Sequence, residues 1–214
     1  IHVTKFFNLS TDCGKLYLIY FERKEEAYTM SRINFGAKPF IYPMPVLIVG
    51  TYDEKGVPNA MNAAWGAITD MNEITISMSP HKTTENFAHT GAFTVSFATE
   101  DTVVACDYVG VETASKVADK FAKAGFHATK SEYVNAPVID ELPMCLECKL
   151  IKVNEDGIVI GEIVNVSADE RILEENGKID LNKFSPITYD PVHHTYRKIG
   201  DVVGKAFSDG MKLK

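Results

Sequence analysis

Cysteine, tryptophan and basic residues are all scarce in this sequence. The 214 residues include four cysteines and one tryptophan, and 22 basic residues are outnumbered by 29 acidic ones. Four cysteines in a chain of this length are too few for a disulfide scaffold. We therefore expect free thiols at Cys13, Cys106, Cys145 and Cys148, in a reducing and thus cytoplasmic compartment.

The charge and hydropathy patterns exclude two classes of partner. The net charge of −7 comes without any long block of lysine and arginine, so the electrostatic footprint of a nucleic-acid-binding protein is absent. The polybasic signature of an anionic-membrane binder is absent too. No apolar run approaches the roughly 20 residues of a membrane helix, and the short run LYLIYF lacks the cleavage site of a signal peptide.

Several catalytic and metal-binding motifs are also missing. No Gly-x-Ser-x-Gly, His-Glu-x-x-His or Gly-x-Gly-x-x-Gly pattern occurs, so acyl transfer, zinc proteolysis and a Rossmann site have no support. Cys145 and Cys148 form a C-x-x-C pair, but positions i and i+3 of a strand point to opposite faces. We interpret them as structural thiols, interpret His193 and His194 as solvated loop residues, and expect no metal site.

Residues 1–29 differ from the rest of the chain because they are mixed in composition and weakly patterned. They end in ERKEEAYTM, and Met30 is followed by the regular start SRINFGAKPF. One hypothesis is that the native start is Met30 and that residues 1–29 come from upstream translation or cloning sequence. The alternative is a genuine N-terminal arm that covers a sheet edge. Residues 30–214 are expected to form one domain.

From Pro43 onward the sequence is rich in strand patterns, with a few short helical segments. Strands are predicted at residues 45–53, 57–69 and 92–99, and at 72–80, where Ile74, Ile76 and Met78 face one side. Residues 144–170 are predicted to form a long hairpin with a turn near Asp156–Gly157, and residues 194–210 a strand and loop. Helices are predicted at residues 81–91, 102–110 and 114–125. Thr83 or Thr84 is expected to cap the first helix, and Gly91 to end it. Many strands without βαβ alternation favour a mainly β barrel.

The segment from Ser79 to Phe87 combines a predicted helix start with polar side chains. A helix N-terminus exposes unpaired N–H groups and a partial positive charge, which makes it an anion site. The side chains that add to this site are Ser79, His81, Lys82, Thr83 and Thr84. A phosphate monoester fits here, although a capped helix with solvated charge explains the same residues.

The stretch NAMNAAWGAITD places Trp65 among small side chains. Small residues let a flat ligand approach the backbone, and the amides of Asn59 and Asn62 suit the edges of a heteroaromatic ring. Taken alone, a tryptophan packed in the core is the simpler explanation. One short strand joins this stretch to the anion site, however. The two together predict a ligand with a planar head and a phosphate tail.

Three motifs occur in order within residues 38–97: an N-x-M-x-x-x-W strand, a strand ending in a Ser/His/Thr loop, and G-x-F-x-V. Further segments follow as DYVGVETASKVADKFAKAGF, NAPVIDELPMCLECKL, IGEIVNVSADE and IGDVVGKAF. From about Lys38 to Phe207 the chain therefore resembles the flavin reductase-like, FMN-binding family, specifically its flavoredoxin branch. Branch members commonly show a Pro-Pro near TDMNE, which this chain lacks.

The resemblance implies a mainly β split barrel with a few short peripheral helices, which forms a homodimer and holds FMN near the subunit interface. A small barrel is filled by its own side chains, so the flavin lies outside it. Residues implied at the flavin ring are Asn59, Met61, Asn62, Ala63, Ala64 and Trp65. Residues implied at the ribityl chain and phosphate are Ser79, His81, Lys82 and Thr83. Further implied contacts are Ser115, Lys116 and Tyr196.

The implied function is that of an FMN-binding oxidoreductase, in one of two versions. In the first, an NAD(P)H-dependent flavin reductase takes hydride from NADH or NADPH and passes electrons to an acceptor protein or ferric iron. In the second, a flavoredoxin-type carrier holds FMN tightly and does not oxidise NAD(P)H itself. A third hypothesis, an FMN-free barrel with a redox cysteine pair, is disfavoured by strand geometry. Because flavin carries the hydride chemistry, no catalytic acid or base is expected.

Overall fold

The computed structural model describes residues 9–12, 15–18 and 32–214. The chain divides into two compact units, Ile1–Lys38 and Pro39–Lys214. In the first unit, strands β1 (Leu9–Asp12) and β2 (Lys15–Leu18) form an antiparallel hairpin. Cys13 and Met30 lie outside the described residues, so the expected free thiol and the start-site hypothesis stay predictions.

The second unit contains all other elements. Its strands are β3 (Met44–Pro45), β4 (Leu47–Tyr52), β5 (Pro58–Ala63), β6 (Gly66–Asp70), β7 (Glu73–Ser77), β8 (Ala92–Phe97), β9 (Ala128–Lys130), β10 (Pro137–Ile139), β11 (Met144–Val153), β12 (Ile158–Ala168), β13 (Ile187–Asp190) and β14 (Thr195–Lys198). Its α-helices are α1 (Lys82–Thr90), α2 (Val103–Val111), α3 (Lys120–Lys123) and α4 (Leu181–Phe184). Within the described residues, none of the helices is long and apolar enough to cross a membrane.

Seven strands form one antiparallel sheet in the order β5-β4-β8-β11-β12-β7-β6. Strands β5 and β6 follow each other in the chain but lie at opposite edges of the sheet. The sheet therefore curls until its two edges come together at residues 64 and 65. This is the predicted mainly β split barrel with short helices around it. Smaller sheets pair β14-β13-β3 and β10-β9.

Both faces of β4 are covered, which explains its uninterrupted apolar run. Leu47 and Val49 pack with Phe93 in one core cluster, inside the curl. Ile48 points the other way and packs with Val109 of α2 and Phe121 of α3 in a second cluster. A strand buried on both faces has no polar side, so it reads as a continuous hydrophobic segment. Helix α2 is held in this way against β4 and β5.

The prediction of one strand over residues 57–69 is wrong. The chain pairs with β4 up to Ala63 and with β7 from Gly66 onward, so it changes partner at Ala64 and Trp65. A Cβ on Gly66 would meet Leu47 Cδ1 at 2.5 Å, which shows how closely the chain passes the barrel interior. The small residues around Trp65 allow the chain to pass from one edge of the sheet to the other at this point.

Two helix predictions also need correction. Only Lys120–Lys123 of residues 114–125 is helical, because Thr113 accepts hydrogen bonds from the N–H groups of Lys116 and Val117 in a tight turn. The cap of α1 is His81 rather than Thr83 or Thr84. Thr84 instead accepts from the His81 N–H at 2.8 Å, which completes a capping box.

Other local predictions are confirmed. Ile74, Ile76 and Met78 are buried while the residues between them are more exposed. Gly91 ends α1 with φ of 60°, and Gly157 forms the turn of the β11–β12 hairpin with φ of 78°. Both angles lie in the left-handed region, where glycine has no Cβ penalty.

Candidate functional site

A cleft of about 550 Å³ lies where the barrel is split. It is bounded by the break between β5 and β6, the end of β7, the start of α1, helix α2 and the β13–β14 hairpin. Its lining residues are Met61, Asn62, Ala63, Ala64, Trp65, Ser77, Met78, Ser79, His81, Asp107, Gly110, Val111, Tyr189, His194 and Tyr196.

The cleft brings together eight of the thirteen residues expected to bind a ligand. Those eight are Met61, Asn62, Ala63, Ala64, Trp65, Ser79, His81 and Tyr196. The other five, which do not line it, are Asn59, Lys82, Thr83, Ser115 and Lys116. The two stretches singled out by sequence, NAMNAAW and SPHKTT, therefore do meet at one cavity.

Asn59 and Thr83 lie behind the cleft, where they fasten α1 to the sheet. Asn59 Nδ2 donates to Thr83 Oγ1 at 2.9 Å, and both residues are buried. A second bond of the same kind joins Asn86 Nδ2 to Thr51 Oγ1, also at 2.9 Å. Buried hydrogen bonds between an amide and a hydroxyl fix the orientation of the helix, because breaking one leaves a desolvated polar group without a partner. The start of α1 is held rigidly beside the cleft.

The N-terminus of α1 lies at one end of the cleft. His81 is the cap, with extended backbone, and its side chain lines the cavity. The N–H groups of Lys82 and Thr83, in the first turn, lie outside the intrahelical hydrogen-bond ladder. Unpaired N–H groups and the partial positive charge of a helix end favour anions, so this end of the cleft is a candidate anion-binding position. Ser79 adds a hydroxyl beside it.

The remaining three predicted residues lie away from the cleft: Lys82 is half-buried, and Ser115 and Lys116 are exposed. Lys82 Nζ pairs with Glu85 Oε2 at 3.4 Å, one turn along α1. Ser115 and Lys116 are exposed on the turn between α2 and α3. None of the three reaches the cleft of its own chain.

Trp65 forms one wall of the cleft instead of packing in the core. The residue is 58% exposed, so the explanation by core packing is wrong. Its carbonyl accepts a hydrogen bond from the Ser77 N–H at 2.8 Å, which ties the strand break to the end of β7. Ala63 and Ala64 precede it and leave the neighbouring surface flat. The cleft therefore has an exposed indole ring next to a surface formed by two small alanine side chains.

Helix α2 forms the opposite wall through close contact with β5. A Cβ on Gly110 would meet Asn62 Cβ at 2.9 Å, so only glycine lets the helix approach this far. Asn62 Nδ2 donates to the Cys106 carbonyl at 3.0 Å, which fixes the amide against the helix. Asp107 and Val111 project from the same helix into the cleft.

The β13–β14 hairpin closes the cleft with two tyrosines and a histidine. Tyr196 donates its hydroxyl to Asp107 Oδ1 at 2.7 Å. Burial, and then the Asp107 carboxylate, raise the pKa of Tyr196 well above its ordinary value, so the phenol stays protonated. Tyr189 and His194 are joined by a hydrogen bond of 2.7 Å between the hydroxyl and Nδ1.

A buried carboxylate holds this hairpin together. Asp190, 3% exposed, accepts from the Tyr42 hydroxyl at 2.6 Å, from His193 Nδ1 at 2.8 Å and from Arg197 Nε at 3.3 Å. The hydrogen bonds from Tyr42 and His193 hold the pKa of Asp190 far below its ordinary range. His193 is therefore exposed yet structurally engaged, and the hairpin keeps its tyrosines in place.

Lys120 of α3 holds the C-terminal end of α2. Its ammonium donates to the carbonyls of Val109 at 3.1 Å and Glu112 at 3.0 Å. The residue is only 4% exposed, and burial lowers the lysine pKa from 10.5 to about 8, with Glu112 acting in the opposite direction. Because α2 carries Asp107 into the cleft, Lys120 positions one cleft wall from behind.

We expect stability to rise with pH between about pH 8 and 10.5, because folded Lys120 has released a proton that the unfolded chain still holds. Below about pH 8 both states are protonated and the effect vanishes. Lys120→Met removes the titrating group. Between about pH 8 and pH 10, the free energy of unfolding of the wild type should increase by about 2 kcal/mol relative to that of the variant. Urea unfolding of both proteins measures this, and a pH-independent difference contradicts it.

Seven further residues line the cleft but were not predicted from the sequence as ligand contacts: Ser77, Met78, Asp107, Gly110, Val111, Tyr189 and His194. Ser77 and Met78 directly precede the predicted anion loop, so a wider window would have included them. The other five come from segments far along the chain, and no local pattern links these segments to the tryptophan strand.

The cysteine pair shows the features of structural thiols. Cys106, Cys145 and Cys148 are free and buried, as expected. Burial raises the thiol pKa of Cys145 to about 11 and of Cys148 to about 12, which suppresses the reactive thiolate. No group of three or more potential metal ligands occurs in the part of the chain that the structure describes.

Comparison with known proteins gives consistent matches. Residues 40–198 match the flavin reductase like domain. Flavoredoxin of Desulfovibrio vulgaris (Miyazaki F) is 37% identical, with 84% of this chain and 100% of that chain covered and a TM-score of 0.81. Flavoredoxin from Methanosarcina acetivorans is 29% identical, with 86% and 100% covered and a TM-score of 0.78. An uncharacterised protein of Aquifex aeolicus (strain VF5) is 28% identical over 158 residues, 69% of this chain and 80% of that protein.

The split barrel with a cleft at its split, together with the domain match, defines a flavin reductase-like protein, and the chain belongs to that family. The two flavoredoxins, each matched over its whole length, place the chain in the flavoredoxin branch. The family supports a flavin cofactor and a flavin-related oxidoreductase.

Proposed function

We propose that the cleft binds FMN, with the flavin ring at the strand break and the phosphate at the start of α1. One observation carries this proposal: a single cleft joins the exposed Trp65 face to a helix N-terminus. Its volume of about 550 Å³ falls within the range of roughly 300–1,000 Å³ typical of cofactor sites. A planar head with an anionic tail matches both ends.

The lining residues fit the two parts of this ligand. Ala63 and Ala64 leave room for a flat ring, and Trp65 offers it an aromatic face, with Met61 beside them. Asn62 and Tyr196 supply polar groups for the ring edges. Ser79, His81 and the backbone N–H groups of Lys82 and Thr83 would hold the phosphate. Asn59 supports them from behind, whereas roles for Ser115 and Lys116 rest on the resemblance alone.

The chemistry that FMN supplies when bound is acceptance and release of hydride or electrons. The residues of this chain bind the cofactor, orient it and shield it from water on the barrel side. Because FMN would carry the hydride chemistry, we expect no catalytic acid or base from the chain.

We further propose that NADH or NADPH is the electron donor and that an acceptor protein or ferric iron takes the electrons. The rival function is a flavoredoxin-type carrier that receives electrons from another protein. Anaerobic addition of NADH or NADPH to the FMN-loaded protein distinguishes the two. Bleaching of the flavin within seconds supports the reductase, and a flavin that dithionite reduces but NADH and NADPH do not supports the carrier. The free, buried thiols agree with a cytoplasmic location.

A homodimer is proposed because the chain exposes apolar surface that a monomer does not bury. Beyond β14, Val202, Val203 and Phe207 are almost fully exposed. A groove of about 460 Å³, lined almost entirely by apolar side chains, lies beside Ile199 where this tail begins. In a two-fold dimer each tail would contact the other subunit in the same way.

Replacing both Val203 and Phe207 with serine should weaken the dimer by at least about tenfold, since each contributes roughly 1.5–3 kcal/mol when buried. The monomer should be unaffected because both side chains are exposed. Sedimentation equilibrium measures the dissociation constant, with Lys205→Ser as the matched change between the two sites. An unchanged constant in the double variant would remove the tail from the interface.

A further inference from the structure

The cleft carries opposite electrostatic character at its two sides. The N-terminus of α1 and His81 favour negative charge at one end. On the α2 wall, Asp107 is the only carboxylate among the lining residues of the described chain. It is the middle residue of α2 and lies away from both helix ends.

Asp107 has a hydrogen-bond donor but no cationic partner. The Tyr196 hydroxyl donates to it at 2.7 Å. Among the ion pairs formed by residues 32–214, none involves Asp107. A phenol orients a carboxylate but leaves its full negative charge in place. That charge faces the cleft beside Asn62, which α2 holds in contact with β5.

We infer that Asp107 disfavours the reduced, negatively charged state of the flavin bound in this cleft and so lowers its reduction potential. The inference rests on the proposed function, because it concerns the same cavity. A flavin ring bound in a cleft of about 550 Å³ would lie near the wall that carries Asp107, and the Coulomb interaction between two charges strengthens as their distance shortens. Charge close to a flavin ring is a recognised means of tuning its electronics.

The reduction step balances as follows. Two electrons from an external reductant, such as dithionite, and one proton from water convert the neutral oxidised ring into its anionic reduced form. A second proton gives the neutral reduced form. Asp107 neither gives nor takes these electrons. Its charge raises the free energy of the anion only, so it weakens binding of reduced FMN relative to oxidised FMN.

The test is the midpoint potential of FMN-loaded wild type and Asp107→Asn, measured by equilibration with a reference dye. Asparagine keeps the acceptor for Tyr196 and removes the charge. We expect reduced FMN to gain about tenfold in affinity relative to oxidised FMN, which is about +30 mV for a two-electron couple. Asp101→Asn removes an equal charge just before α2, outside the cleft, and should leave the potential unchanged.

Three outcomes are informative. A raised potential in Asp107→Asn but not in Asp101→Asn supports the inference. Equal potentials in all three loaded proteins overturn it and leave FMN binding intact. Loss of oxidised FMN binding in Asp107→Asn also overturns it, because the residue would then bind the ring directly. If the wild type itself takes up no FMN, the proposed function fails first, so the two failures are distinct.

Discussion

Replacing Trp65 with alanine is expected to weaken FMN binding by roughly 10- to 100-fold, because stacking on an aromatic side chain contributes about 1–3 kcal/mol. The flavin-free protein should unfold at almost the same temperature. Trp65 is 58% exposed, so its removal leaves no large cavity in the core. A change below about 2 °C in Tm is expected for such a surface position. Isothermal titration with FMN and calorimetric unfolding of the apo protein give the two values.

Tyr133 provides the matched control for this variant. It is an aromatic residue of similar exposure, at 56%, and it lies outside the cleft. Tyr133→Ala should leave FMN affinity unchanged. Unfolding of apo Trp65→Ala at a much lower temperature, without a selective loss of FMN affinity, would make Trp65 a structural residue and contradict its role as a cleft wall.

Replacing His81 with asparagine should separate FMN from riboflavin. Asparagine is a good helix cap, so α1 is preserved while the imidazole is removed from the cleft. Hydrogen bonds to charged groups contribute about 1.5–3 kcal/mol, so FMN affinity should fall by roughly 10- to 100-fold. Riboflavin lacks the phosphate, and its affinity should change by less than about twofold. Titration of the apo variant with both flavins gives the ratio.

Lys82→Gln is the control at the adjacent position. Lys82 carries a positive charge but pairs with Glu85 outside the cleft. Its replacement should leave the preference for FMN over riboflavin nearly unchanged. Equal losses of FMN and riboflavin affinity in His81→Asn would show that His81 contacts the ring and not the phosphate. The phosphate position at α1 would then be wrong.

Local patterns predicted most of the fold because the elements that carry it have strong periodicity. The alternation of Ile74, Ile76 and Met78 and the glycines at 91 and 157 act through short-range sterics, which a sequence shows directly. The break at Ala64 and Trp65 could not be read in this way. It exists because β5 and β6 pair with strands from opposite edges of the sheet, and that partner choice is a property of the whole topology.

Some residues of the candidate site could be predicted from local sequence, and others depend on the tertiary fold. Residues of two neighbouring stretches, such as Asn62, Trp65 and His81, were placed together because one short strand joins them. Asp107 and Tyr196 meet across a separation of 89 positions, and only the packing of α2 and the β13–β14 hairpin brings them to the cleft. Buried partners were misjudged for a related reason. Asn59 and Thr83 look like ligands in sequence, but the Asn59 amide donates to the Thr83 hydroxyl behind the wall.

The most direct test of the FMN cleft uses the single tryptophan of the chain as its probe. Trp65 lies on the cleft wall, so FMN bound in this cavity would lie directly beside the fluorophore. Titration of flavin-free protein with FMN should quench the tryptophan emission saturably, with the end point where FMN equals the chain concentration. Absence of FMN uptake, or uptake that leaves the Trp65 emission unchanged, would contradict the proposed cleft.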